Sequence, residues 1–293
     1  MTSSFRTMMK TGFFWVPAVT TLFFLSSCAP KIKIGIVHPL PALPDTARLV
    51  LLSFEDSLTG QPAVYIGNIR FGDAGLSTNC DYDEEVGMLT NAARKNGANL
   101  VKITFHKAPD RLSSCDRIQA NLYFDEGCRD FERQFPWSSK RRLDWKDFKS
   151  AGGDMKDTGS AAAYTHCGIV YRYHVLTNFS KPYFSVKAYM NCRSSWVRAD
   201  QQYRPDLLAH EQAHFDLCEV YARTLRKKLR EERPGPREFP RASERIYRDV
   251  LRQLTARQQA YDIETHHGLN RTVQQDWQER ITGELIKLHD FAD

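Results

Sequence analysis

Apolar side chains recur along this chain with two different periods. Up to about residue 191 they fall at every second position in short runs, as in strands with one covered face, and beyond residue 206 at every third or fourth, as on one face of a helix. Residues 49–54 and 64–71 read as strands. An acidic first turn at Asp83, Glu84 and Glu85 then opens a helix whose apolar face is Val86, Leu89 and Ala93, and which Gly97 stops. Two more strands follow, with Val101, Ile103 and Phe105 alternating in the first and Ile118, Ala120, Leu122 and Phe124 in the second. The expected order over residues 47–125 is β-β-α-β-β, a small domain with no evident catalytic set of its own.

A second domain is expected over residues 143–293. Residues 165–175 and 183–191 read as a hairpin, with Ile169, Tyr171, Tyr173 and Val175 on one face of the first strand and Phe184, Val186, Ala188 and Met190 on one face of the second. A turn centred on Phe179 and Ser180 would set Tyr171 against Ala188, Ile169 against Met190 and Cys167 against Cys192. Opposed residues lie about 4.5 to 5.5 Å apart at Cα, so that register predicts a Cys167–Cys192 disulfide. Three helices close the chain, with Asp206, Ser243 and Thr272 as expected caps. The first ends at Pro234-Gly235-Pro236 and the second at Gly268, so the two long helices should form an antiparallel pair. The fold class is α+β.

The first residues change the picture of compartment. Arg6 and Lys10 precede an apolar run over residues 12–25, which at about fourteen residues is too short to span a bilayer and is interrupted by Pro17. Leu25-Ser26-Ser27-Cys28 then resembles a bacterial lipobox. It implies a signal peptide over residues 1–27, lipid on Cys28, and a lipid anchor and tether over residues 28–46. An ordinary secretory signal is the alternative. Ala29 suggests the outer membrane, facing the periplasm, in a Gram-negative host.

In such an envelope location disulfides are the default, and the later cysteines contain no C-x-x-C pair that would suggest a zinc ribbon. Cys80 with Cys115 is the first expected bridge. Cys218 reads as a core thiol or a partner of Cys128. The net charge of +6 is mild, and twelve Lys or Arg against five Asp or Glu fall within residues 223–257. That run reads as a solvated helix face or a surface for anionic lipid. No nucleic-acid motif is present, so nucleic acid is not an expected partner; oligomeric state is not encoded legibly.

The chemistry lies in His210-Glu211-Gln212-Ala213-His214. A four-residue step places both imidazoles on one helix face, within reach of one zinc ion, and Glu211 beside them as general base towards a water. A catalytic zinc site needs a third protein donor and an open position. The end of the next helix, which returns towards His210, offers His267, Glu264 and then Asp262, while His266 reads as a solvated residue near the helix end; Glu219, on the first helix itself, comes last. Cys218 lies about 12 Å along the axis from His210, too far to join. Tyr261, Tyr171, Tyr173 and His174 are candidates to stabilise an oxyanion.

Four strings, LLAHEQAHFDLCEVYARTL, YDIETHHG, LDWKDF and SSWV, resemble the bacterial family called domain of unknown function 922, over about residues 143–290. Its members are regarded as zinc-dependent proteases. The resemblance implies a zincin-like domain, a Zn2+ cofactor, a peptide or protein substrate, and His267 of the T-x-HG string as third ligand. Asp216 departs from the apolar residue usual there in HExxH peptidases. The expected function is a membrane-anchored zinc peptidase of the bacterial envelope. The alternatives are a non-catalytic envelope lipoprotein that binds a partner protein through a structural zinc site, and an amidase acting on cell-wall peptides.

Overall fold

The computed structural model describes residues 30–293 apart from 59, 61, 63, 73–79, 111–112, 152–160 and 179–180. The expected signal peptide, Cys28 and the turn at Phe179 and Ser180 lie outside the described residues. No helix among the described residues is long and apolar enough to cross a membrane.

Five strands form the N-terminal sheet: β1 (Lys31–Ile36), β2 (Val50–Leu52), β3 (Val64–Gly72), β4 (Leu100–Lys107) and β5 (Arg117–Phe124). Their order is β1-β3-β5-β4-β2, and only β2 and β4 pair in parallel. Helix α1 (Tyr82–Lys95) buries Leu89 and Ala93 against Ile66, Ile69 and Ile103 of the sheet. Asp81 and Glu84 close a capping box at its start, satisfying two of the backbone N–H groups that a helix leaves free. The expected Cys80–Cys115 disulfide is present and ties the start of α1 to the start of β5. Residues 31–36, expected in the tether, instead form an edge strand on β3 from Lys31↔Gly72 to Ile36↔Gly67. Ile32, Ile34 and Ile36 alternate there, and the free edge of β3 supplies hydrogen-bond partners that a tether would find only in water.

After α2 (Cys128–Phe131), strand β6 (Gln134–Pro136) already belongs to the second sheet, so this unit begins ahead of residue 143. The sheet order is β6-β9-β8, with β8 (Cys167–His174) and β9 (Tyr183–Asn191). A two-stranded ribbon of β7 (Ala163–Tyr164) and β10 (Trp196–Val197) flanks it. Helices α3 (Pro205–Glu232), α4 (Phe239–Thr265) and α5 (Arg271–Lys287) cover one face, and Val186, Ala188 and Met190 are buried in their shared core as the strand parity predicts. The fold is α+β.

Two details of the sequence reading are corrected. The hairpin register pairs Cys167 with Met190, Ile169 with Ala188 and Tyr171 with Val186. It is slipped by two residues, which keeps every side chain on its expected face, so alternation alone cannot detect it. Cys192 consequently does not oppose Cys167; it lies beyond that pair, fully buried, with its N–H donating to the Arg133 carbonyl. The helix starts also move: α3 opens on Pro205, α4 at Phe239 and α5 behind Asn270, whose side chain accepts from Val273 N. Proline, with no N–H to satisfy, stands in the first turn of both α3 and α4.

The units meet through charge. Buried Glu132 and Asp147 receive Arg48 from the first unit at 2.9 and 3.4 Å, and Lys187 of β9 reaches Asp83 of α1 at 2.8 Å.

Candidate metal centre

Helix α3 carries His210, Glu211 and His214 in a buried stretch, and α4 runs antiparallel beside it. The imidazoles converge: the two Nε2 atoms are 3.2 Å apart. Asp262 on α4 closes a triangle, with Oδ1 3.1 Å from His210 Nε2 and 2.9 Å from His214 Nε2. Among the described residues His210, His214 and Asp262 are the group able to hold a metal ion. Donors about 2.05 Å from a tetrahedral ion stand about 3.3 Å apart, so this triangle has the edges of a zinc-sized site. His210 is 3 % exposed, whereas the Asp262 side chain is 32 % exposed, so the group opens to solvent on the α4 side.

The other ring nitrogens are held by glutamines. His210 Nδ1 donates to Gln274 Oε1 of α5 at 3.1 Å, and His214 Nδ1 donates to Gln258 Oε1 of α4. Gln258 Nε2 in turn donates to the His214 carbonyl at 3.0 Å, which fixes the amide with its oxygen towards the ring. With Nδ1 donating to a glutamine, each imidazole can give up the proton that its Nε2 shares with Asp262 and offer a lone pair in its place, the arrangement that metal-binding histidines need. Tyr261 stacks on the His210 ring at 4.7 Å and 18°, stands edge-on to His214 at 4.9 Å, and donates its hydroxyl to Gln274 at 2.8 Å.

Electrostatics match the donor set. Burial would push the Asp262 carboxyl up, but hydrogen bonds from His210 and His214 hold it well below the usual carboxylate range. Burial would push the His214 imidazole down, yet the Asp262 hydrogen bond and the Glu211 charge win and raise it to about 9. Two imidazoles facing one carboxylate thus hold positive charge, here a proton, and a dication suits the same place better. Glu211 is buried beside the group; its charge also adds to burial and to Cys167 in raising the hydroxyl of half-exposed Tyr164 on β7.

The structure brings Asp262, rather than the His267 that the T-x-HG string implies, to the two imidazoles. His267 sits two residues past the end of α4 at φ 54°, 71 % exposed, with Nδ1 3.7 Å from Asp262 Oδ1, and is not within the three-donor group. Glu264 faces α5, where Trp277 Nε1 donates to it at 2.9 Å. Glu219 is buried between Arg223 and Arg226 at 2.8 and 3.2 Å. Tyr171 and Tyr173 pack against Tyr247 and Phe239 near the start of α4, at least about 16 Å along that helix from Gln258. Cys128 and Cys218 belong to different core clusters.

A signal for Asp262 was present. The turn between α3 and α4 centres on Pro236; counted outward, His210 lies 26 residues before it (236 − 210) and Asp262 26 after it (262 − 236), and His214 mirrors Gln258 at 22. Gln274, on a third helix, has no such signal. The remaining motif residues are hydrogen-bonded into the structure around the motif helix and the hairpin. Leu143 N donates to Gln212 Oε1 at 2.8 Å, Asp216 accepts from Gln212 at 2.8 Å and from Trp137 Nε1 at 2.7 Å, and Ser195 Oγ accepts from His166 N at 2.9 Å. The acid at position 216 is therefore an acceptor for two donors, which an apolar residue could not be.

No curated protein and no solved structure matches the chain. Residues 139–268 match a family model, a span that takes in His210, His214 and Asp262 and stops short of α5 with Gln274. That segment, which bears the candidate metal group, is matched by the family described as "Bacterial protein of unknown function (DUF922)".

Proposed function

We propose that this protein is a zinc-dependent peptidase of the bacterial envelope, anchored by lipid on Cys28. The observation that carries the reading is the triangle of His210, His214 and Asp262 with Glu211 buried next to it. Zinc held there would polarise a substrate carbonyl and acidify a water. Glu211 takes up the proton of the attacking water and returns it to the departing amine. Gln258 and Gln274 hold both rings on their Nδ1–H tautomer, and Tyr261 fixes the ring planes. Substrate enters on the open side, beside exposed His267. The envelope location is supported by the export-like residues 1–28 and by the Cys80–Cys115 disulfide.

Metal analysis with a peptide-cleavage assay tests this. Wild-type protein should carry one zinc per chain; His210→Ala and Asp262→Ala should lose it. Glu211→Gln should keep zinc and lose at least about a hundredfold in turnover of a quenched peptide library, the low end for a general base. Wild-type turnover by Glu211→Gln would remove that base.

One observation favours a second reading, the structural zinc site that serves a partner protein. His267 lies close enough to Asp262 to supply a fourth donor after a small rearrangement of the exposed segment behind α4. If His267→Ala loses zinc as completely as Asp262→Ala and the wild type cleaves nothing, the closed site is the correct description. Cell-wall peptides in the same library test the amidase alternative.

A further inference from the structure

Cys167 is the first residue of β8, and Cys218 lies on α3 one turn beyond His214. Their sulfur atoms are 2.7 Å apart. That separation is too short for two thiolates sharing a zinc ion, which metal–sulfur distances of about 2.3 Å would place about 3.8 Å apart. It needs only a small approach to become a bond of about 2.05 Å. The near polar atoms are the His214 carbonyl, 3.5 Å from Cys167 Sγ, and Gln258 Nε2, 3.5 Å from Cys218 Sγ and 3.8 Å from Cys167 Sγ. Cys218 is fully buried, while Cys167 is half-buried and within reach of a reagent. The chain already carries one disulfide, between Cys80 and Cys115.

We propose that Cys167 and Cys218 form a disulfide in the mature protein, clamping the start of the hairpin to the metal-binding helix beside His214. The Cys167 thiolate attacks the disulfide of an oxidant, either glutathione disulfide or a dithiol oxidase, and forms a mixed disulfide as one oxidant thiolate leaves. The Cys218 sulfur then attacks the Cys167 sulfur and expels the second. Two protons and two electrons leave the pair, and the oxidant's disulfide becomes two thiols. The bond closes across 51 positions of sequence and lies directly under Gln258, the residue that orients His214. It thus fixes the wall on which one metal donor rests. The inference is independent of any peptidase activity, since it needs neither zinc nor turnover.

The test is a peptide map of the full chain folded with glutathione disulfide, unfolded without reductant and treated with iodoacetamide. A cross-linked peptide pair containing Cys167 and Cys218, alongside that of Cys80 and Cys115, is expected. Alkylation of both sulfurs, or linkage of either to Cys128 or Cys192, overturns the proposal. Thermal unfolding supplies a second readout. Cys167→Ala and Cys218→Ala should each lower the melting temperature by roughly 10 °C, and the double variant by no more than either alone. Additive losses would mean two independent thiols and overturn it equally.

Discussion

Gly268 lies against His210 with no room between them. A Cβ at this position would meet His210 Cβ at 3.0 Å and Cγ at 3.1 Å, and the residue's φ of 81° is one that side chains disfavour. The glycine of the T-x-HG string is therefore the packing surface for the candidate ligand His210, and Thr265, whose hydroxyl accepts from Gly268 N at 3.2 Å, holds the turn in place. Gly268→Ala should push the His210 ring out of line. It should weaken zinc binding by about ten- to a hundredfold, as loss of a supporting contact around metal donors does, measured by competition with a chromogenic chelator. Unchanged affinity would mean that the turn yields instead of the histidine. At this scale YDIETHHG was legible as the donor-bearing string, but the choice within it was not: the family resemblance implies His267, whereas the structure brings the alternative Asp262 to His210 and His214.

Helix α1 shows a polar group where an element needs an apolar one. Glu85 shares the inward stripe with Leu89 and Ala93, is fully buried, and neither of its oxygens has a hydrogen-bond partner among the described residues. Burial, with the charges of Asp116 and Asp81 adding to it, pushes its carboxyl from 4.5 up to about 9. The folded state thus prefers the protonated form. Its contribution to stability is complete below pH 4.5 and is lost as the pH rises through 9, at up to about 1.4 kcal/mol per pH unit. Glu85→Gln should raise the melting temperature by several degrees at pH 8 and change it little at pH 4; calorimetry showing equal effects at both would mean that the carboxyl does not titrate in the folded chain. The helix itself was legible, from its acidic first turn to Gly97. The exchange of Glu85 for Val86 in the fully buried stripe was not, because a helix face about 100° wide tolerates a rotation that the sheet beneath decides.

For the molecule as a whole, metal binding and folding should be one equilibrium. The donors come from α3 and α4, and the groups that orient them from α4 and α5, so the site exists only when all three helices are packed. Zinc at a hundredfold excess over its dissociation constant should add about 2.7 kcal/mol, a rise of roughly 5 to 10 °C in melting temperature that a chelator reverses. The shift should vanish in His210→Ala. A zinc-dependent shift that survives in that variant would place the ion elsewhere. Sequence alone determined the two periods, the α+β class, the Cys80–Cys115 bridge and the pairing of His210 with His214. These depend on neighbours a few residues apart or, for the bridge, on two cysteines that flank one compact helix-and-strand unit. Only the tertiary structure decided the edge strand at residues 31–36, the convergence of Asp262 on the two histidines and the neighbour of Cys167. Each of these depends on register between distant segments, and a slip of two residues in a strand, or of one turn in a helix, leaves every local pattern as it was while changing which side chains meet.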